Sequence, residues 1–384
     1  MRRRKLAVIW LALVVAALAT AAALVGRATP PAAAAPAAQS CTKVNLGVLA
    51  PLTGPAAFLG QEQLSWVQYA ISVFNKQFKT QFGVKQADSQ LSASLARTAG
   101  RKLVSDKSVY GVVGGSTSQS VISTGDLFKA AKLASISGSA TRVDLTAGKY
   151  PTFFRVVPHD GVQAPSIVNY LTGKLKVKSV VVMDSQDDYS TALAPAIEKG
   201  LKAKGVKVQH ESTPADATDF SNIVTNVPDN ADVFVFATQT ASAANTLSQQ
   251  LLEQGKKAKV FGTDGAYSPS QYKPRLGYVS SFANDLNFVP AAKSVVAGYK
   301  KFSHGKTFGT FGPPSYMAAW VLMNAINTAC KDGTVTRAEV VPQVKKTNVP
   351  SILGGTIKFT AKGDVAGAKF YIFQVTNGKY KNVG

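Results

Sequence analysis

Histidine and cysteine are nearly absent, three and two in a chain of 384 residues. A Cys/His zinc centre takes about four ligands, and no two of the histidines stand at helical ligand spacing, so such a centre is excluded. Acids are scarce too: 21 Asp and Glu face 43 Lys and Arg, for a formal charge of +22. Charged residues of both signs make up only 17% against 46% hydrophobic, which excludes a highly charged disordered chain. Catalytic signatures are missing as well. Gly305-Lys306-Thr307 ends like a phosphate-binding loop, but Lys300 stands where its first glycine belongs. Gly114-Gly115-Ser116-Thr117-Ser118 lacks the closing glycine of a nucleophile elbow. Ser303-His304-Gly305-Lys306 matches one element of a serine-lysine acyl-enzyme set without the others. No cofactor or metal is implied.

What is present begins with an address. Arg2, Arg3, Arg4 and Lys5 precede an apolar run from Leu6 to Val25, followed by Ala- and Pro-rich text to Ala38. A basic segment followed by an apolar one is a secretory leader, with cleavage expected near Ala35 to Ala38. The same run is just long enough to span a bilayer, so an uncleaved anchor is the alternative. Cys41 follows Ala38-Gln39-Ser40 well beyond Val25, which makes lipidation there the lesser reading. An exported chain with two cysteines commonly pairs them, so a Cys41–Cys330 disulfide is expected over two free thiols.

From residue 43 the text alternates short β-branched runs with longer helical ones. Strands are expected at 44–49, 109–113, 133–136, 179–183, 206–210, 233–237 and 258–261. Helices are expected at 61–78, 92–105, 118–131, 161–171, 189–204 and 241–254. This alternation predicts βαβ units and parallel sheets buried on both faces. The rhythm occurs twice, over 43–150 and 160–265, as in two lobes. The segment from Phe153 to Pro158 reads as a crossover between them, and 281–290 as a second. Helices follow at 291–302, 316–330 and 337–346, then β-like text at 356–360 and 370–376.

Polar residues fall where these strands end, the place where open α/β sheets bind ligands. Ser118 opens a helix beyond Gly114-Gly115, and its hydroxyl with the free N–H groups there suits a carboxylate. A simple N-cap is the competing reading. Ser139-Ala140-Thr141 follows the next strand. Asp187-Asp188-Tyr189 precedes a helix, where the acids also read as caps. Asp264, in Gly262-Thr263-Asp264-Gly265, ends another strand and also reads as a turn residue.

At these residues the chain resembles the type I periplasmic solute-binding proteins, in particular the leucine/isoleucine/valine-binding family of ABC importers. The resemblance opens with Leu46-Gly47-Val48-Leu49-Ala50-Pro51-Leu52-Thr53-Gly54-Pro55 and Gly60. It continues through Lys102-Leu103-Val104, Gly111-Val112-Val113-Gly114 and Ser137-Gly138-Ser139-Ala140-Thr141 with Leu145-Thr146. Phe154-Arg155-Val156, Asp188-Tyr189-Ser190, Asp219-Phe220-Ser221, Gln254-Gly255 and Gly262-Thr263-Asp264-Gly265 complete it in order. No one motif is specific, but their order and spacing together are.

The resemblance implies a two-lobed α/β fold, each lobe a mostly parallel sheet flanked by helices, joined by three hinge crossovers. Residues 41–156 with 288–354 would form the N-terminal lobe, and 157–287 with 355–384 the C-terminal lobe. Closure on a small amino acid, or a related carboxylate or amide, is the implied function. Ser118, Ser139 and Thr141 would hold its carboxylate; Tyr189 and Asp264 would meet its ammonium. Leu59 and Thr240 would line the side-chain end, with Phe58 and Tyr267 nearby. Implied partners are an ABC permease and its ATPases, for an exported, monomeric, non-enzymatic protein. A ligand sensor of the same fold is the second reading, and a secreted serine hydrolase using Ser116 or Ser118 a third. The lysines spread over helix faces and loops without the interleaved aromatics of a nucleic-acid surface. Five cations lie in 1–38 with no acid to offset them, leaving +17 on the remainder.

Overall fold

A first sheet gathers the opening third of the chain. In the computed structural model, which describes residues 39–42 and 44–384, the expected leader at 1–38 lies outside the described residues. A two-residue strand β1 (Gln39–Ser40) leads into β2 (Asn45–Ala50), α1 (Ala57–Phe78), β3 (Gly83–Asp88), α2 (Ala93–Ser105) and β4 (Val109–Val113). Then come α3 (Ser118–Ala130), β5 (Ala134–Ser137) and β6 (Phe153–Arg155). Strands β3-β2-β4-β5-β6 pair in parallel throughout. β4, Val-Tyr-Gly-Val-Val, is buried at every position, as a strand covered on both faces requires, and so is β5 although two of its four residues are serines.

The chain then crosses to a second sheet. It adds α4 (Asp160–Asn169), β7 (Ser179–Asp184), α5 (Ser190–Ala203), β8 (Lys207–Ser212), α6 (Ser221–Thr225) and β9 (Val233–Ala237). Next are α7 (Ala241–Glu253), β10 (Lys259–Gly262) and β11 (Gly277–Ser281). Five parallel strands, in the order β8-β7-β9-β10-β11, carry two antiparallel ones at the far edge, β15 (Tyr371–Thr376) and β16 (Lys379–Asn382). Between these parts the chain returns to the first sheet through α8 (Lys293–Phe302), α9 (Gly312–Ala329), β12 (Thr334–Val335), α10 (Arg337–Lys345), β13 (Asn348–Pro350) and β14 (Thr356–Lys358). The fold is thus the two-lobed α/β architecture expected, and the chain passes three times between its lobes. Gln39–Gly384 forms one compact unit.

The third passage falls later than the sequence division at 354/355. β13 pairs with β14, Phe359 packs on Phe154 with ring centroids 5.1 Å apart, and Asp364 bonds Arg155, all on the first lobe. Only from Phe370 onward does the chain pack with the second. Two strands of the first sheet were not expected as such, nor were β11 and β16 of the second or the short β1, β12 and β13. β3 is an edge strand with two exposed polar residues, and β6 supplies the sheet's last strand from text read as crossover. Cys41 and Cys330 are bonded, with Cα atoms 6.1 Å apart, tying the entry of the chain to the end of α9.

The first core lies between that sheet and α1, α9 and α10; Trp66 stacks on Tyr299 at its centre, centroids 3.9 Å apart. Separate clusters fill the two faces of the second sheet. A small cluster of Leu59, Val157, Phe282, Phe311 and Phe370 sits where the chain crosses between lobes.

Candidate functional site

Parallel strands of both lobes point their C-terminal ends at one another, so the loops after β4, β5, β7, β9 and β10 converge. Close backbone approach makes this possible at two glycines. Gly114 has φ +137°, and a Cβ there would lie 2.5 Å from the Leu49 carbonyl oxygen. At Gly265 a Cβ would lie 2.2 Å from the Thr238 carbonyl oxygen, so only glycine lets the turn bearing Asp264 reach the end of β9.

From the first lobe come the hydroxyls. Thr117, not Ser118, caps α3, its side chain accepting the Ser120 N–H. The N-cap reading of Ser118 therefore gives way: its hydroxyl is fully buried and has no partner among the described residues. Ser139 is engaged, donating to the Ser116 carbonyl at 2.5 Å and accepting from Gln63 Nε2 at 2.8 Å. Thr141 is fully buried; its hydroxyl lies close enough to Asp160 to lower that carboxyl's pKa, yet outside hydrogen-bonding geometry. Ser116 donates to the Leu49 carbonyl and to Gln63 Oε1, and it bonds no histidine.

Acids come from the second. Asp264, 3% exposed, accepts from the Tyr189 hydroxyl at 2.6 Å and from Gln163 Nε2 at 2.6 Å. Desolvation pushes its pKa up to about 6 against the pull of those two donors. Asp187 is a cap, accepting the N–H groups of Tyr189 and Ser190 at 2.9 Å each, and so fixes where the tyrosine stands. Asp188 meets Arg142 of the first lobe, whose Nη1 donates to its carbonyl at 2.8 Å.

Sequence reading missed Asp160. It opens α4, is 4% exposed, and neither carboxylate oxygen has a hydrogen-bond partner among the described residues. Its backbone N–H donates to the Thr141 carbonyl at 2.8 Å, which seats it between the hydroxyls and Asp264. Burial first, then repulsion from Asp264, push its pKa up to about 8. Gln163, also missed, follows three residues later on the same helical face. An Asp and a Gln three apart, opening the helix directly after the crossover, is the signal that could have found both. Gln119 and Gln239 are the other omissions: Gln119 Nε2 donates to Gln239 Oε1 at 2.8 Å, a bond between the lobes.

Thus the structure links Thr141, Asp160, Asp264 and Tyr189 into one buried group, with Ser118 beside the Gln119 bridge. Thr240 is buried next to Gln239 at the start of α7. Leu59 belongs to the cluster at the crossings, and Phe58 meets Phe311 edge-on at 5.9 Å. Tyr267 turns elsewhere: the short 3-10 turn at Asp264–Ala266 sends its ring against Phe373 and Tyr380, lining a separate cavity of about 490 Å³.

Residues 43–379 match the model of the periplasmic binding protein family. The chain belongs to that family. It is similar to the Leu/Ile/Val-binding protein homolog 3 of Brucella melitensis, 27% identical, with 88% of this chain and 92% of that protein covered. The Leu/Ile/Val-binding protein of Escherichia coli K12 is 24% identical over 86% of this chain and 90% of its own length. In fold, this solute-binding chain resembles the branched-chain amino acid transporter substrate binding protein LivJ of Streptococcus pneumoniae, solved with isoleucine. The TM-score is 0.80 at 23% identity, covering 89% of this chain and 99% of that one. A solute binding protein of R. palustris solved with benzoate gives 0.79 at 14% identity, over 89% and 95%.

Proposed function

We propose that this chain is the exported solute receptor of an ABC importer and that it captures an α-amino acid between its lobes. One observation carries the choice of ligand: two buried carboxyls, Asp160 and Asp264, stand close enough to repel each other, with the unpartnered Thr141 hydroxyl beside Asp160 and the unpartnered Ser118 hydroxyl at the start of α3. Buried acids whose charge is disfavoured accept a cation readily, and hydroxyls at a helix start accept an anion. A zwitterion supplies both, whereas a ligand such as benzoate supplies no cation for the acids.

In this reading Ser118 and Thr141, with Ser139 shaping the turn, hold the carboxylate. Asp264 and Asp160 share the ammonium, and Tyr189 orients Asp264. Leu59, Phe58 and Thr240 border the ligand's side chain. The first lobe comprises 41–156 and 288–366, the second 157–287 and 367–384, and ligand held by both stabilises the closed form. The protein acts as a monomer without catalysis, delivering ligand to a permease driven by ATPases.

The test is a thermal-shift panel of branched-chain, small and aromatic amino acids, their amides, and benzoate. A ligand at a hundred times its Kd stabilises by about 2.7 kcal/mol. For a body of this size that is a rise of about 4 °C. At least one amino acid should produce it in the wild type and none in Asp264→Ala. Equal shifts from benzoate, or an unimpaired Asp264→Ala, would sink the proposal.

A further inference from the structure

We infer that the outer end of the first lobe, opposite the ligand site, is a contact surface for a bilayer rich in anionic phospholipid. All five strands of the first sheet run in parallel, so their starts and the ends of α1, α2, α3 and α9 fall together at that end. Lys76, Lys79, Lys102, Lys107, Lys132 and Lys331 all lie there, exposed, and none forms an ion pair among the described residues. Asp106, the acid nearest Lys107, is already taken by Lys85 at 3.3 Å and by the Ser108 hydroxyl at 2.6 Å. A helix dipole accounts for one cation in a last turn. Lys79, Lys107, Lys132 and Lys331 stand beyond those turns.

A second observation separates a membrane from other polyanions. Phe78 is 41% exposed between Lys76 and Lys79, its ring propped by Phe74 at 4.4 Å and by Trp320 at 6.2 Å. An aromatic ring exposed among lysines suits the boundary between headgroups and acyl chains. The chain also enters the body here, where β1 pairs with β12 and Cys41 joins Cys330. Among the described residues no helix is long and apolar enough to cross a membrane.

The body Gln39–Gly384, which forms one compact unit and holds every core cluster among the described residues, is sedimented with phosphatidylcholine vesicles carrying no or about one-third phosphatidylglycerol. Each lysine near an anionic surface contributes on the order of fivefold to partitioning. Binding should require the anionic lipid and vanish in half-molar salt, where screening is nearly complete. Reversing Lys76, Lys79 and Lys331 to Glu together should weaken it about a hundredfold or more. Phe78→Ser should weaken binding to the anionic vesicles a few-fold in low salt. Reversing Lys174, Lys178 and Lys207 to Glu, at the basic outer end of the other lobe, should change it less than about threefold, with unchanged melting in both variants. Equal losses from the two triple variants, binding to neutral vesicles, or no binding at all would overturn the assignment.

Discussion

Asp160→Asn should make the unliganded protein more stable and a poorer receptor. The wild-type carboxyl is pushed up to about 8 in the folded state, from 3.8 in the open chain. Below pH 3.8 both states hold the proton and the residue is neutral to stability. Between 3.8 and about 8 the unfolded state has released its proton while the folded state retains it, so stability falls as pH rises. Four pH units at 1.36 kcal/mol each set a ceiling of about 6 kcal/mol above pH 8. The asparagine amide leaves a buried polar group in place, costing about 1–3 kcal/mol. A net gain of about 3 kcal/mol remains, a rise in midpoint of about 4 °C for a body of this size. The assay is urea unfolding of wild type and variant from pH 5 to 9. Asp264 contributes the same sign over a shorter window, from 3.8 to about 6, so the wild-type slope should be steeper below pH 6 than above it. Glu62, which burial raises to about 7, carries the same sign from 4.5 upward, so it is between about 7 and 8 that the variant should lose the slope. A variant less stable than wild type at pH 8, or one that keeps the slope, would refute this account of the buried acid.

Two further outcomes follow from single contacts. Ser118→Ala removes a buried hydroxyl that bonds no protein group, so unfolding in urea should change by less than about 0.5 kcal/mol while the amino-acid Kd rises about tenfold. Isothermal titration reads the second effect, and unchanged affinity would remove Ser118 from the site. For Cys41→Ser with Cys330→Ser, loop closure over 289 residues sets a ceiling of about 5–6 kcal/mol of lost stability. Reductant should lower the wild-type midpoint to that of the double variant, and a midpoint insensitive to reductant would deny the bridge a stabilising role.

The layered frame was legible in the sequence because burial on both faces leaves an unmistakable run such as Val180-Val181-Val182-Met183, all buried in β7. Glycines at strand ends marked where loops had to come close. β3 escaped because an edge strand has one dry face at most: Gly83-Val84-Lys85-Gln86-Ala87-Asp88 reads as polar text. At the site, residues that end strands were legible by position alone. Asp160 and Gln163 were not, since they open a helix after a crossover and meet Asp264 only through the packing of α4 against the end of β10. Tyr267 was named from the resemblance, near the side-chain end of the pocket, and its ring packs on Phe373 and Tyr380.

One buried ion pair bears on how the lobes can move. Arg155, fully buried at the end of β6, bonds Asp364 at 2.6 Å and also donates to the Arg142 carbonyl and the Thr146 hydroxyl. Arg155 stands just before the first crossing and Asp364 just before the third. Two of the three connecting strands are therefore riveted side by side before they leave the first lobe. They leave the first lobe as a pair, so any bending between the lobes falls on the residues that follow Arg155 and Asp364 and not on the strands behind them.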